Sequence, residues 1–473
     1  MTVYIIMISY LGFTFWGSLW GVSKKEATPE SYFLADRNLS TLRLFFTILA
    51  TNFSAFYFLG FAGEGYKIGF VHYLMMSMGT AFASISFFII GIPAWHLGKK
   101  YGHITPTELI YGQTGSRPLA LLFSTVMIVF TLPYLALQII GGGYILENIT
   151  GGDISYALAI ILLTVFTIAY VIIGGMESVA KTDLKQGILV ILFMTLAVLW
   201  IGSELGGIQV ANQKAYELVP DLFSIHGGGD AYDVKRWISF LIFWIFCIPM
   251  FPQLFMRFYI AKDVEHLKKS ALLYAFIPLV ISILPVMIGI WGHLSFPGLE
   301  GKASDQILPM MLVEHSQDWF AAIVMTGAIA AFMSTLDSQL LALSTMLTRD
   351  FYIPFAREKP SFKKEVFIGR VMVGLLALIG LLISFNPFDT IFDMGKMAFS
   401  GLAILFPIAF WSIYKTLRNS FWPMLAIIIS ILILFGFYYG WIDKKICLGF
   451  ESFLVVILAS FSISSLGYKK RPR

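Results

Sequence analysis

The chain is a succession of long apolar stretches separated by short polar ones, and that pattern excludes most soluble folds. A transmembrane helix needs about 20 apolar residues. Stretches of this kind fall at roughly 3–21, 42–64, 72–97, 118–148, 154–176, 184–205, 236–258, 268–295, 317–348, 367–386, 391–414, 421–441 and 448–467. Water cannot satisfy backbone groups in hydrocarbon, so such stretches must become helices. They predict an all-α polytopic membrane protein with about 13 transmembrane helices. Only 13% of the residues are charged, against about 25% in a soluble domain. Cys247 and Cys447 lie too far apart to imply a disulfide framework or a zinc site.

The net charge of +5 suggests nucleic acid only until the basic residues are mapped. No basic residue precedes the first stretch, whereas Lys24 and Lys25 follow it, the reverse of a signal peptide. We expect a retained span with the N-terminus outside. Alternate loops then face the cytoplasm and hold 25 of the 33 Lys and Arg, among them Arg37, Lys99, Arg117, Lys185, Arg257, Arg349 and Lys470. Shifting the count by one span inverts this bias, so the positive-inside rule favours thirteen spans and a cytoplasmic C-terminus. The loop at 206–235 is polar and Gly-rich around Gly227-Gly228-Gly229, and no stretch resembles a soluble catalytic domain. Function is expected within the membrane bundle, in a prokaryotic cell (cytoplasmic) membrane.

Two spans carry weak points. In the second, Ala50-Thr51-Asn52-Phe53-Ser54-Ala55-Phe56 is followed by Gly60, Gly63 and Gly65; the seventh contains Pro249 and Pro252. Each proline removes a donor and frees a carbonyl upstream. Interruptions at corresponding places in two halves suggest inverted repeats with a midplane site. The expected units are 1–41 (an extra N-terminal helix and cytoplasmic loop), 42–205 (a first repeat of five helices), 206–235 (an extracellular loop), 236–415 (a second repeat) and 416–473 (two C-terminal helices and a basic tail). Inside the second repeat, Ala331, Ser334, Asp337 and Ser338 share one helix face with Thr335 at its edge, an arc of about 160°. Such oxygens suit a small hard cation. A lone hydroxyl bonded back to its own helix is the plainer reading of any one of them.

These residues resemble the sodium/solute symporter family over about 3–465. Four stretches carry the resemblance: Ser31-Tyr32-Phe33-Leu34-Ala35-Asp36-Arg37; Ala50-Thr51-Asn52-Phe53-Ser54 with Gly63-Glu64-Gly65-Tyr66; Gly174-Gly175-Met176 through Thr182-Asp183-Leu184-Lys185-Gln186; and Ala331 to Ser338 with Thr348-Arg349-Asp350-Phe351-Tyr352. The resemblance implies a leucine-transporter-type fold with 5+5 inverted repeats, and sodium-coupled import of a small organic solute by alternating access. It also implies a sodium site made by Ala50, Phe53, Ala331, Ser334 and Thr335. Asp183 matches an acid near the sodium path, or forms an interfacial pair with Lys181 and Lys185. Asp337 and Ser338 fall where some members hold a second sodium; Asp337 departs from the usual Ser or Thr there.

The resemblance places the solute beside this site, with candidates Asn52, Ser54, Phe56, Tyr57, Gln138, Trp244, Gln253, Lys396 and Ser400. Lys396 suits a carboxylate, and equally a pair with Asp389 or Asp393 or a snorkelling position. The pocket favours an amino acid or small carboxylate. Proton coupling through Asp183 or Asp337 is the alternative within transport. A membrane enzyme would need a clustered His, Cys or carboxylate constellation, and the histidines are scattered. Partners are thus the solute, sodium and the bilayer, with no nucleic acid and no obligate protein partner expected.

Overall fold

In apolar surroundings the backbone pairs within helices, and the chain is helical almost throughout. The computed structural model describes residues 1–20, 34, 37–358 and 360–470. The stretch Ser31–Arg37 therefore lies outside the described residues except for Leu34 and Arg37. Helix α1 is Thr2–Trp20. The first interrupted helix follows: α2 (Thr41–Asn52), a π turn at Phe56–Gly60, then α3 (Phe61–Ile68), with a 61° bend between the halves. Gly69 then turns the chain at φ +78°, where any Cβ would stand 2.0 Å from the Leu222 carbonyl oxygen. Only glycine fits both the dihedral and the space.

Helix α4 (Phe70–Phe82) leads into α5 (Ile92–Tyr101). The short α6 (Pro106–Thr114) is fixed by a Thr105/Glu108 capping box before α7 (Arg117–Ile149). One helical element, α8 (Tyr156–Glu204), covers two of the sequence's stretches, with apolar segments at Tyr156–Ile172 and Asp183–Glu204. The loop beyond it contains α9 (Ile208–Leu218). Helix α10 (Val234–Cys247) ends in a 3-10 turn at Ile248–Met250; α11 (Pro252–Tyr259) leaves it at 64°. Pro252 is the first residue of α11, where a missing N–H costs nothing.

The chain continues as α12 (Val264–Ile281), α13 (Ile283–Trp291), α14 (Ile307–His315), α15 (Asp318–Met346), α16 (Phe362–Phe385), α17 (Ile391–Ala403), α18 (Phe406–Tyr414), α19 (Phe421–Tyr438) and α20 (Ser452–Ser465). Strands β1 (Lys415–Leu417) and β2 (Tyr468–Lys470) pair antiparallel, Thr416 opposite Lys469. Among the described residues eight helices are long and apolar enough to span a membrane, or ten if each bent pair is one span. Three shorter or separate apolar helices, Thr2–Trp20, Tyr156–Ile172 and Ser452–Ser465, fall on the remaining stretches of the sequence reading.

Burial distinguishes centre from periphery. Over its apolar window α15 is 89% buried, whereas α16 is only 28% buried. The exposed residues of α16, Phe367, Val371, Leu375, Leu378 and Leu382, recur at helical spacing and form a lipid-type face. Helix α15 packs against α7, α8 and α2 at the centre. On the other side of the broken helix, α3 meets α13 backbone to backbone: a Cβ on Gly289 would lie 2.1 Å from the Ala62 carbonyl oxygen.

Candidate functional site

Where α2 stops, its backbone groups change partners. A continuous helix would join the Ala55 N–H to Thr51; here it donates to the Gln138 side-chain oxygen at 3.0 Å. Gln138 in turn donates from its amide nitrogen to the Tyr134 carbonyl at 2.9 Å, so this buried amide fixes the break to α7. A second helix also reaches the break: the Thr335 hydroxyl of α15 donates to the Ala50 carbonyl at 3.1 Å. Ser334, its neighbour, donates to Asp183 Oδ1 at 2.5 Å. Ala50, Ala331, Ser334 and Thr335 have no solvent exposure, and Phe53 almost none. Of the five residues that the family resemblance assigns to sodium, Ala50 and Thr335 meet across the break. The donors are carbonyls and hydroxyls, a hard neutral set suited to an alkali cation. Among the described residues no group of three His, Cys, Asp or Glu gathers.

Asp183 is fully buried. Its partners are the Thr47 hydroxyl, Ser334, and Arg257, whose guanidinium stands 3.2 Å from Oδ2. Lys185 is exposed, and the side chain of Lys181 is outside the described set. Arg257 is a correction to the topological reading. It is not a loop cation but a residue of α11 with no solvent exposure, donating to Thr47 (3.0 Å), Ser338 (2.6 Å) and Thr51 (3.4 Å) as well. The signal for it was present in the sequence: an arginine within Leu254-Phe255-Met256-Arg257-Phe258 interrupts an apolar run, which marks a functional position in a membrane helix. Asp337 points elsewhere. Tyr170 of α8 donates to its Oδ1, and Oδ2 has no hydrogen-bond partner among the described residues.

Next to the break lies a small cavity of about 20 Å³. Its walls include Asn52, Phe53, Phe56, Tyr57, Trp244 and Phe399. Phe56 is the hub, edge-on to Phe399 at 4.9 Å and to Trp244 at 6.0 Å, and stacked on Phe392 at 5.4 Å. Tyr57 is anchored through its hydroxyl to Ser282. Trp244 reaches Met76 Sδ at 3.3 Å.

Of the nine solute candidates, Asn52, Phe56, Tyr57 and Trp244 line this cavity; Ser54, Gln138, Gln253, Lys396 and Ser400 do not. Gln138 serves the break. Gln253 is buried beside Pro252 with neither amide atom partnered among the described residues. Lys396 pairs with Asp393 at 2.8 Å, and the Ser400 hydroxyl turns back to the Lys396 carbonyl at 2.7 Å. Sequence reasoning missed Tyr134, Phe251 and Tyr274 in the cavity wall, because isolated aromatics in apolar helices carry no local signal.

The model of the Sodium:solute symporter family matches residues 32–429. The sodium/pantothenate symporter of Haemophilus influenzae is 26% identical over 431 residues, covering 90% of this chain and 88% of its own. The osmoregulated proline transporter of Bacillus subtilis is 26% identical over 419 residues, covering 87% and 84%. A substrate-bound, outward-open structure of a sodium-coupled sialic acid symporter superposes with a TM-score of 0.81 over 100% of this chain and 99% of the other, at 16% identity. That likeness places the chain in the leucine-transporter-type fold. The chain belongs to the sodium:solute symporter family, and is a multi-pass membrane transporter coupling a small solute to sodium, not an enzyme.

Proposed function

We propose that the protein imports an amino acid or small carboxylate together with sodium, and that the sodium binds where α2 breaks against α15. Its ligands in this reading are the carbonyl oxygens of Ala50, Phe53 and Ala331 and the hydroxyls of Ser334 and Thr335. The observation that carries the reading is the Thr335–Ala50 hydrogen bond across the break, which brings two of these oxygens to 3.1 Å. A cation between them replaces one hydrogen bond with several ion–dipole contacts and joins α2 to α15 more firmly. Asn52 and Phe53 line the aromatic cavity while flanking the break, so ion and solute stabilise the same backbone segment. Each then favours the conformation that the other needs, which is coupling by differential affinity.

Among the described residues, none that lines the cavity carries an ionised side chain. A solute carboxylate is therefore best met by the sodium ion itself and by neighbouring amide and hydroxyl groups, and an ammonium by the aromatic faces. The relatives named for proline and pantothenate fit a compact solute bearing a carboxylate. The nearly equal bends of 61° and 64° support two repeats, 42–205 and 236–415, each opening on a broken helix. Thirteen spans, an outer N-terminus and a cytoplasmic C-terminus complete this reading.

Proteoliposomes test it. Labelled proline and pantothenate should accumulate when sodium is imposed outside, and less so in Trp244→Ala. Uptake driven by a pH gradient and indifferent to sodium would instead favour proton coupling. One observation points that way: the unpartnered Oδ2 of Asp337, which a proton would satisfy.

A further inference from the structure

A buried carboxylate without a counter-cation is costly, and Asp183 is buried completely. Thr47 donates to its Oδ2, and around the guanidinium that meets this oxygen the fold gathers three hydroxyls, those of Thr47 and Thr51 from α2 and of Ser338 from α15. All are hard oxygens, the kind that holds an alkali cation. The position between them is filled by the Arg257 side chain. Its Nη2 lies 2.6 Å from Ser338, 3.2 Å from Asp183 and 3.4 Å from Thr51, and its Nε lies 3.0 Å from Thr47.

We propose that the Arg257 guanidinium is a resident, covalently tethered cation in a second cation site, and that the protein consequently couples a single sodium ion per turnover. This rests on the first-site reading above. Ser334 and Ser338 are one helical turn apart on α15, about 6 Å along the axis. Asp183 joins both positions, accepting from Ser334 through Oδ1 and from the guanidinium through Oδ2. The pair Asp183–Arg257 is neutral, so the first site adds one positive charge to a neutral surrounding. The guanidinium belongs to α11 and cannot leave with the solute. It also joins α11 to α2, α8 and α15, so the second broken helix moves only when this cluster opens.

The test counts sodium by equilibrium binding of isotopically labelled sodium, without solute, to the detergent-purified full chain. The native protein should bind one ion per chain, and Ser334→Ala/Thr335→Ala should abolish that binding. Arg257→Gln removes the tethered charge and leaves the cradle, and should bind two ions. Adding Asp183→Asn to it should return the count to one. Two ions on the native protein overturn the inference while leaving the first site standing. So does a folded Arg257→Gln that keeps a count of one. No binding to the native protein, or binding indifferent to Ser334→Ala/Thr335→Ala, overturns the first-site reading and this inference with it. The native count requires no substituted protein to fold.

Discussion

Gln138 stands between the two halves of the first broken helix and holds the Ala55 N–H that the break releases. Removing its side chain leaves a buried donor unpaired, at about 1–3 kcal/mol. Gln138→Ala should therefore lower the melting temperature and weaken sodium binding together; an unchanged melting curve would show that the break does not depend on this amide. Residues of this kind were partly legible in the sequence. Ser334 and Thr335 stood out because hydroxyls in an apolar helix are conspicuous, and Asn52 because it sits at the edge of a glycine-rich weak point. Gln138 was visible as a polar residue in mid-span, yet its partner depended on where α2 would break. Arg257 was misread for a similar reason. A cation near the end of an apolar stretch looks topological until the 64° bend turns α11 inward. Lys396 suited a carboxylate by position along the helix, but Asp393 three residues earlier already neutralises it.

At the scale of elements, both breaks were legible because prolines and clustered polar residues weaken a helix locally. The close approach of α3 and α13 was not, since nothing local identifies which glycine faces which backbone. Gly289→Ala drives a methyl to 2.1 Å from the Ala62 carbonyl oxygen, whereas Gly374→Ala on α16 meets nothing within 4 Å. The first should destabilise by about 1–3 kcal/mol and the second by little. Equal melting temperatures for the two variants would contradict the backbone contact. A second element-scale contact involves Asp305, in the turn Gly301–Gln306 before α14. It accepts the Ile391 N–H at the start of α17, 2.8 Å away. Burial pushes its carboxyl up to about 7, against the lowering effects of that N–H and of Lys67. An acid raised on folding stabilises most when protonated, and that contribution fades as pH climbs from its unfolded value, about 3.9, towards 7. Between pH ~5.5 and ~7 the native protein should lose about a kcal/mol per pH unit relative to Asp305→Asn, which stays neutral. Parallel melting curves across that range would show that Asp305 is ionised and otherwise satisfied.

For the whole molecule, hydropathy and loop charge predicted an all-helical membrane bundle, and the bundle is what the chain forms. Hydropathy alone did not reveal which stretches lie at the centre. Helices α15 and α16 are both apolar, yet one is enclosed on nearly all sides and the other faces outward. That distinction comes from long-range packing, and only the hydroxyls and carboxylate of α15 hinted at it. The central claim is that the first broken helix and α15 share one ion. Thermal unfolding of the detergent-purified protein in sodium chloride against choline chloride tests it most directly, on native protein and on Ser334→Ala/Thr335→Ala. A ligand at 100 times its dissociation constant stabilises by about 2.7 kcal/mol. The account predicts a sodium-specific rise in melting temperature of several degrees in the native protein and none in the double variant. Equal curves in the two salts, or a sodium shift that survives both substitutions, would contradict it.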